Sequence, residues 1–310
     1  TSYLGFANPR ASELASRLSA LFPPRTLERV FFSDDGSTAV ECALKMEIQY
    51  RIQVGQAERV HFLAFDLSYH GDTLGAASLG GVGEFFEPFR KFGFPVKHLG
   101  GIEELEQLDD ETIKKTAAVI IEPLVQGVNQ IRPWPKGMLA KLRMWCDQHD
   151  VHLILDEVMT GFGRTGKMFA CQHEDVIPDY LCLAKGLSGG YMPLAATMVR
   201  GEIYNAFLGG ADKAFYYGHS YTANQLGCAA GLASLDVFEQ EHTLDYLPEK
   251  IGYLTQQLEQ LADDEALVHE VRQCGMIAGI ELRRSDGRAF DGNLRVGEMV
   301  SVMARDYQVL

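Results

Sequence analysis

An α/β fold with a mostly parallel central sheet is what this sequence predicts, on three observations. Short apolar runs alternate with helical segments along the chain. Several runs are apolar almost without interruption, as parallel strands covered by helices on both faces must be. Each run then meets a polar or charged residue, so chemistry gathers at one edge of the sheet. In open α/β sheets that carboxyl edge is where ligands bind.

The elements follow in order. "RVFFSD" reads as a strand ending at Asp34. A helix runs from Ser37, with Val40, Leu44 and Ile48 every four residues and Ala39, Ala43 and Met46 beside them. Thr38 with Glu41 fits a capping box at its start, with the cap itself open to a shift of one or two residues toward the N-terminus. "HFLAFD", "AAVIIEP", "VHLILDE" and "YLCLAKG" read as further strands, ending at Asp66, Glu122, Asp156 and Lys185. Asp66 reads as an ordinary polar strand end. Asp156 and Lys185 follow their apolar runs with no turn residue between. Around "EQEHTLDYLPEK" the chain becomes more charged. A helical stretch, "IGYLTQQLEQLA", and a short strand pattern, "VRQCGMIAGIELRR", come after it. The division expected is a large domain over 1–242 and the start of a small α+β domain over 243–310.

The chain has 310 residues, is 46% hydrophobic and 23% charged, and carries a formal charge of −14. That charge argues against a nucleic-acid surface, which needs clustered Lys and Arg. No apolar run is long enough to span a bilayer, and no signal peptide is visible. Cys42, Cys146, Cys171, Cys182, Cys228 and Cys274 lack paired spacing and read as reduced thiols of a cytoplasmic protein. The opening "TSYLGF" has no initiator Met, and the end "VMARDYQVL" has no helix stop. Both ends read as cut from a longer protein.

"GFGRTGKM" (Gly161 to Met168) matches two phosphate-binding patterns, G-x-G-x-x-G and the first seven positions of a P-loop. Neither survives its context. A P-loop needs Ser or Thr where Met168 stands. The dinucleotide fingerprint needs a helix opening at its third glycine, and "KMFACQHEDVIPD" has poor helical periodicity. A tight glycine-rich loop near the site is the expectation. No second cluster joins Cys171, His173 and Asp175 to make a metal set. No serine sits in a G-x-S-x-G elbow.

The strand ends permit a more specific arrangement. A lysine buried at a strand end becomes a nucleophile toward carbonyls. An aspartate beside it can hold a ring nitrogen protonated. A Gly-Ser helix start can hold a phosphate. An aromatic can stack on a flat ring. Lys185, Asp156, Gly36 with Ser37, and Tyr69 supply these four parts, which are those of a pyridoxal phosphate (PLP) site.

"SDDGSTAVECALKM", "YHGDTLGAASLGG", "VIIEPLVQG", the long segment from "LILDEVMTGFGRTGKM" to "LAATM", and "YGHSYTANQLGCAA" together resemble the class III, fold-type I PLP aminotransferases. Within that class they are most similar to the biotin-pathway enzymes that aminate 8-amino-7-oxononanoate to 7,8-diaminononanoate. The resemblance covers nearly the whole chain. It implies that Lys185 holds the cofactor covalently and moves the proton, and that Asp156 pairs with the ring nitrogen. It implies that Tyr69 stacks on the ring and borders the substrate, and that Gly36 and Ser37 bind the phosphate. Gly218 would lie against substrate. His219 and Ser220 would reach the phosphate of a partner subunit, which implies a homodimer with shared sites. Glu122 and Asp72 would support the site. The amino donor would be S-adenosylmethionine or lysine. The family's substrate-lining N-terminal segment and its carboxylate-binding C-terminal arginine would lie outside this chain. Two alternatives stay open: a class III enzyme acting on ω-amino acids or diamines, and a truncated, non-catalytic dimer of the same fold.

The resemblance leaves one problem in "SDDGSTAVE". Asp35 stands where the family commonly has Ser, beside a phosphate site. Like charges repel, so Asp35 is expected to point outward, to solvent or to a basic side chain. Asp34 is expected to cap the helix from behind.

Overall fold

A computed structural model describes residues 6–308. Helix α1 (Pro9–Ala20) leads into strand β1 (Leu27–Ser33) and helix α2 (Gly36–Gln53). Strand β2 (His61–Phe65), the short helices α3 (Leu74–Leu79) and α4 (Gly83–Phe86), and strand β3 (Val96–Leu99) follow. Helix α5 (Asp110–Lys115) precedes β4 (Thr116–Ile121) and a small pair, β5 (Val125–Gln126) with β6 (Arg132–Pro133). Helix α6 (Met138–His149) leads to β7 (His152–Asp156), β8 (Tyr180–Leu183) and β9 (Ala195–Arg200). Helices α7 (Gly201–Ala206), α8 (Gln225–Gln240) and α9 (Thr243–Asp264) come next. The hairpin β10 (Val268–Cys274) and β11 (Ile277–Leu282) and helix α10 (Val296–Ala304) complete the order.

Seven strands form one sheet in the order β1-β9-β8-β7-β4-β2-β3. β9 is antiparallel to both its neighbours, and the pairs from β8 to β3 are parallel. The mostly parallel sheet expected from the apolar runs is therefore present. Every residue of β4 and β8 is buried. Alternate residues serve opposite layers. Leu63, Val119, Leu153 and Leu181 pack with α1, α6 and α8, while Phe62, Ala118, Ile154 and Cys182 pack with α2. Small residues of α2, namely Ala39, Cys42 and Ala43, let it lie close on the sheet.

The sequence reading left several elements unnamed, among them α1, β3 and β9. α1 carries a legible start, with Asn8 capping and Pro at the first turn. β3 is a four-residue strand at the sheet's edge, and Lys97 and His98 interrupt its apolar pattern. β9 is built on small residues. The single strand pattern expected near the end is a hairpin, turning at Gly275 with φ +63°. The charged stretch before it is helical from Thr243.

"GFGRTGKM" forms a loop of turns with no helix at its third glycine, as expected. Gly163 and Gly166 have positive φ and pack near Leu247 and Ile251 of α9, and Met276 donates its N–H to Arg164. The loop supports the last part of the chain. Five of the six cysteines are buried and Cys274 is half-buried. Among the described residues no helix is long and apolar enough to cross a membrane.

Candidate active site

A cavity of about 360 Å³ opens beyond the carboxyl ends of the parallel strands. Asp35, Gly36, Ser37, Tyr69, His70, Glu122, Asp156 and Lys185 are among its walls. Five distant stretches of chain meet there because β1, β2, β4, β7 and β8 all end on this edge.

The start of α2 forms one wall. Asp35 is its N-cap: the carboxylate accepts the Thr38 N–H at 3.0 Å, and the Thr38 hydroxyl accepts the Asp35 N–H at 3.1 Å. The capping box thus pairs Asp35 with Thr38, not Thr38 with Glu41. Glu41 accepts instead from the Gly75 and Ala76 N–H groups at the start of α3. Asp34 does not cap the helix; its carboxylate lies 3.6 Å from His219 Nδ1. Asp35 is exposed, as expected, but it also lines the cavity, and its carboxylate turns onto the helix backbone, not toward a basic group. A short polar side chain satisfies a free helix N–H most cheaply from the cap position. The Gly36 and Ser37 N–H groups precede the first intrahelical acceptor and remain available at the positive end of the helix dipole.

The loop after β2 forms a second wall. Tyr69 is half-buried, donates its hydroxyl to Asp72 at 3.0 Å and stacks on Phe86, with ring centroids 6.1 Å apart. Burial, with the Asp72 hydrogen bond, pushes its phenol up. Gly71 has φ +120°, and a Cβ built there would lie 2.1 Å from Ser37 Oγ. Only glycine leaves space for that hydroxyl, which also accepts the Asp72 N–H at 3.1 Å.

The floor carries the carboxylates. Asp156 is 6% exposed; one oxygen accepts the Val158 N–H at 3.1 Å and the other lies 2.8 Å from His70 Nδ1. Glu122 is equally buried and accepts the N–H groups of Tyr69 at 3.1 Å and Gly127 at 2.8 Å. Burial pushes its carboxyl up to about 7, against the opposing pull of His70 and those N–H groups.

Lys185 corrects one expectation. It opens the turn after β8 and reaches the cavity, but it is exposed, because the cavity is open on that side. Its φ of +43° is one L-residues seldom adopt, a conformation held where the surroundings over-determine it. Gly218, His219 and Ser220 are not among this cavity's lining residues, and Gly218 and Ser220 are exposed. His70 was missed. Its partner Asp156 is 86 positions away, and no spacing rule connects them.

The class-III aminotransferase family model matches residues 1–298. The chain belongs to the class-III aminotransferases. It is 44% identical to the adenosylmethionine-8-amino-7-oxononanoate aminotransferase of Geobacter sulfurreducens, over all of this chain and 73% of that protein. It is also 44% identical to the protein of that name from Nitratidesulfovibrio vulgaris, over 98% of this chain and 60% of that one. The chain thus spans between three fifths and three quarters of these curated relatives. The crystal structure of the enzyme of that name from Methanocaldococcus jannaschii superposes with TM-score 0.91 at 38% identity, covering 96% of this chain and 71% of that one. A PLP-bound amine transaminase from an uncultivated Pseudomonas species superposes with TM-score 0.86 at 34% identity, covering 94% and 71%.

Class-III aminotransferases are PLP-dependent, and the cavity of this aminotransferase fits that cofactor. The free N–H groups at Gly36 and Ser37 suit its phosphate. The space left by Gly71 admits the Ser37 hydroxyl beside them. The Asp156 carboxylate, with both oxygens already oriented, suits a protonated ring nitrogen.

Proposed function

We propose that this protein transfers an amino group from S-adenosylmethionine or lysine to 8-amino-7-oxononanoate, giving 7,8-diaminononanoate, in biotin biosynthesis. The observation that carries the reading is the convergence of Lys185, Asp156, Tyr69 and the α2 start on one cavity, in a chain 44% identical to relatives named for that activity.

When bound, PLP supplies an electron sink for a substrate carbon that gives up its proton. The chain's own groups do the rest. Lys185 Nζ would hold the cofactor covalently and, once the incoming amine has displaced it, the freed amine would take a proton at one carbon and return it at another. Asp156 holds the ring nitrogen's proton, its carboxylate oriented by the Val158 N–H and His70. The Gly36 and Ser37 N–H groups and the Ser37 hydroxyl bind the phosphate. Tyr69 covers one ring face and borders the substrate. Glu122 and Asp72 brace Tyr69 at its N–H and its hydroxyl.

Gly218, His219 and Ser220 complete the site of a second copy, since they lie outside the cavity of their own chain. The protein is then a homodimer, and light scattering returns twice the chain mass; a monomer that binds PLP with full affinity refutes the shared site. We assign residues 1–242 to a large domain and residues 243–310 to a small one, with α9 the first element of the second.

Borohydride reduction fixes PLP on the peptide carrying Lys185. Lys185→Ala loses the visible cofactor band and about 10³-fold or more of the activity. Retention of the band in that variant overturns the assignment. A second reading has one specific support, a 35% identical ω-aminotransferase of Caulobacter vibrioides aligned over 90% of this chain. If the aminated cofactor form is discharged by ω-keto acids or aldehydes but not by 8-amino-7-oxononanoate, that reading replaces the first.

A further inference from the structure

Helix α2 and the segment after Tyr69 fit together at two points. Gly71 leaves the hollow that Ser37 Oγ fills, and Ser37 Oγ accepts the Asp72 N–H at 3.1 Å. Gly75 leaves a second hollow, filled by the carboxyl group of Glu41. A Cβ built on Gly75 would lie 2.6 Å from the Glu41 carboxyl carbon. One Glu41 oxygen accepts the Gly75 N–H at 2.7 Å and the Ala76 N–H at 3.2 Å. Ser37 and Glu41 stand four apart on one face of α2, and the two glycines are four apart as well. The second point is a borrowed cap. The N–H groups of Leu74, Gly75 and Ala76 precede the first intrahelical bond of α3, from Ala77 to the Thr73 carbonyl. Thr73 stands at the N-cap, a position its residue type suits, yet its side chain makes no capping bond. Its hydroxyl is buried without a partner among the described residues. A cap from Thr73 would hold α3 together; a cap from α2 also ties it to another element.

We propose that Glu41 is a positioning residue, which locks the segment carrying Tyr69 to the phosphate-binding start of α2 and so sets the gap between the ring-stacking face and the phosphate cup. The proposal rests on the cofactor reading given above. PLP is a flat ring joined to its phosphate by one short arm, so those two walls must stand at a fixed separation. The sheet alone sets that separation loosely, because four strands lie between β1, which leads to α2, and β2, which leads to Tyr69. Contact at Ser37 alone is a pivot about which the segment could swing Tyr69 off the ring. A second contact, one helical turn along α2, stops the swing. Glu41 is half-buried and is not among the residues lining the cavity, so it acts through the segment and not on the cofactor.

The test uses the purified holoprotein and two readouts besides turnover. One is the PLP dissociation constant. The other is the visible circular dichroism of the bound cofactor at saturating PLP, which reports how the ring is seated. Glu41→Ala should weaken PLP about 10-fold, roughly what one charge-assisted hydrogen bond supplies, and reduce the dichroic band. Glu41→Gln keeps an accepting oxygen at the same reach and should stay within about threefold of the parent, with the band intact. Glu41→Asp keeps the charge but ends one methylene short, and should behave like Glu41→Ala. Gly75→Ala suits a helix better than glycine, so its cost is the collision with Glu41. It should weaken PLP in the parent and change nothing further in Glu41→Ala. If Glu41→Ala does not fold, Glu41→Gln and Glu41→Asp decide, and equal behaviour of the two overturns the proposal. Parent-like affinity in Glu41→Ala overturns it, as does weakened affinity with an unchanged band, or losses from Glu41→Ala and Gly75→Ala that simply add. A parent chain that takes up no PLP brings down the cofactor reading and the lock together. A parent that holds PLP on Lys185 while Glu41→Ala matches it removes only the lock.

Discussion

Helix α2 and strands β7 and β8 each have one end in the cavity and the other in a closed network of charges. α2 brings Gly36 and Ser37 to the cavity and Glu47 and Arg51 to the network. β7 starts at His152 in the network and ends at Asp156 in the cavity; β8 starts at Tyr180 and is followed by Lys185. At the network end every group is answered. Glu47 accepts from Arg51 Nε at 2.6 Å and from the Tyr180 hydroxyl at 2.9 Å, and lies 2.6 Å from His152 Nδ1. Arg51 also reaches Gln56 and the Ala117 and Asp150 carbonyls. Burial and the Glu47 carboxylate hold the Tyr180 phenol well above its usual range. At the cavity end two kinds of polar group are left unanswered. Lys185 pairs with no side chain among the described residues, and the first α2 N–H groups face open space. The same elements therefore show what separates a structural cluster from a reactive one. Satisfaction rigidifies; an oriented group without a partner waits for a ligand.

The comparison breaks first at the closed end. Glu47→Ala removes the closest partner of Arg51, only 1% exposed, and leaves it the more distant Asp150 carboxylate at 3.4 Å. Removing one partner of a buried pair costs about 3–5 kcal/mol. Denaturant unfolding should show that loss, while PLP bound per folded chain stays at the parent value. Lys185→Ala should do the reverse. A Glu47→Ala protein with full stability and damaged cofactor binding would erase the contrast between the two ends.

Glu122 tests the border between them, since it faces the cavity yet both its oxygens are used. Its carboxyl is raised from an ordinary 4.5 to about 7. The folded state thus keeps a proton that the unfolded state has lost. Stability is full below pH 4.5, falls as pH rises toward 7, and is flat above. The span is worth about 3 kcal/mol. Glu122→Gln should abolish that slope, measured as unfolding free energy at pH 5 and pH 8. A slope that survives in the variant assigns it to another group.

How much of this was legible in the sequence follows the same division. The strand ends were legible, because an apolar run stopped by a charge is a local pattern. So was the failure of "GFGRTGKM" as a nucleotide site. The His70–Asp156 contact was not, since it spans 86 positions. Glu47 and Arg51 sit four apart on a helix, a spacing that usually marks an exposed pair, and nothing local reveals that both are buried. The cap was misplaced by three residues because Asp34, Asp35, Ser37 and Thr38 all carry capping side chains. Lys185 was expected to be buried because its strand is; the cavity's openness depends on four other strand ends.

Asp35 gives the smallest effect and the finest distinction. It stands at the cavity end but behaves like a residue of the closed end, its carboxylate used by the Thr38 N–H. Ser caps a helix about as well as Asp, so Asp35→Ser should leave stability within about 0.5 kcal/mol. A phosphate held by the Gly36 and Ser37 N–H groups would carry about two charges. Against one carboxylate charge at about 6 Å in water-like surroundings the repulsion is about 1.4 kcal/mol, roughly halved by screening at physiological salt. Asp35→Ser should therefore tighten PLP by no more than about threefold, and 0.5 M salt should remove most of that gain. A tenfold gain that persists in salt would mean that the carboxylate leaves the cap and meets the phosphate in a desolvated site. Asp35 would then belong to the unanswered end, and the capping box seen here would be a resting arrangement that the cofactor displaces.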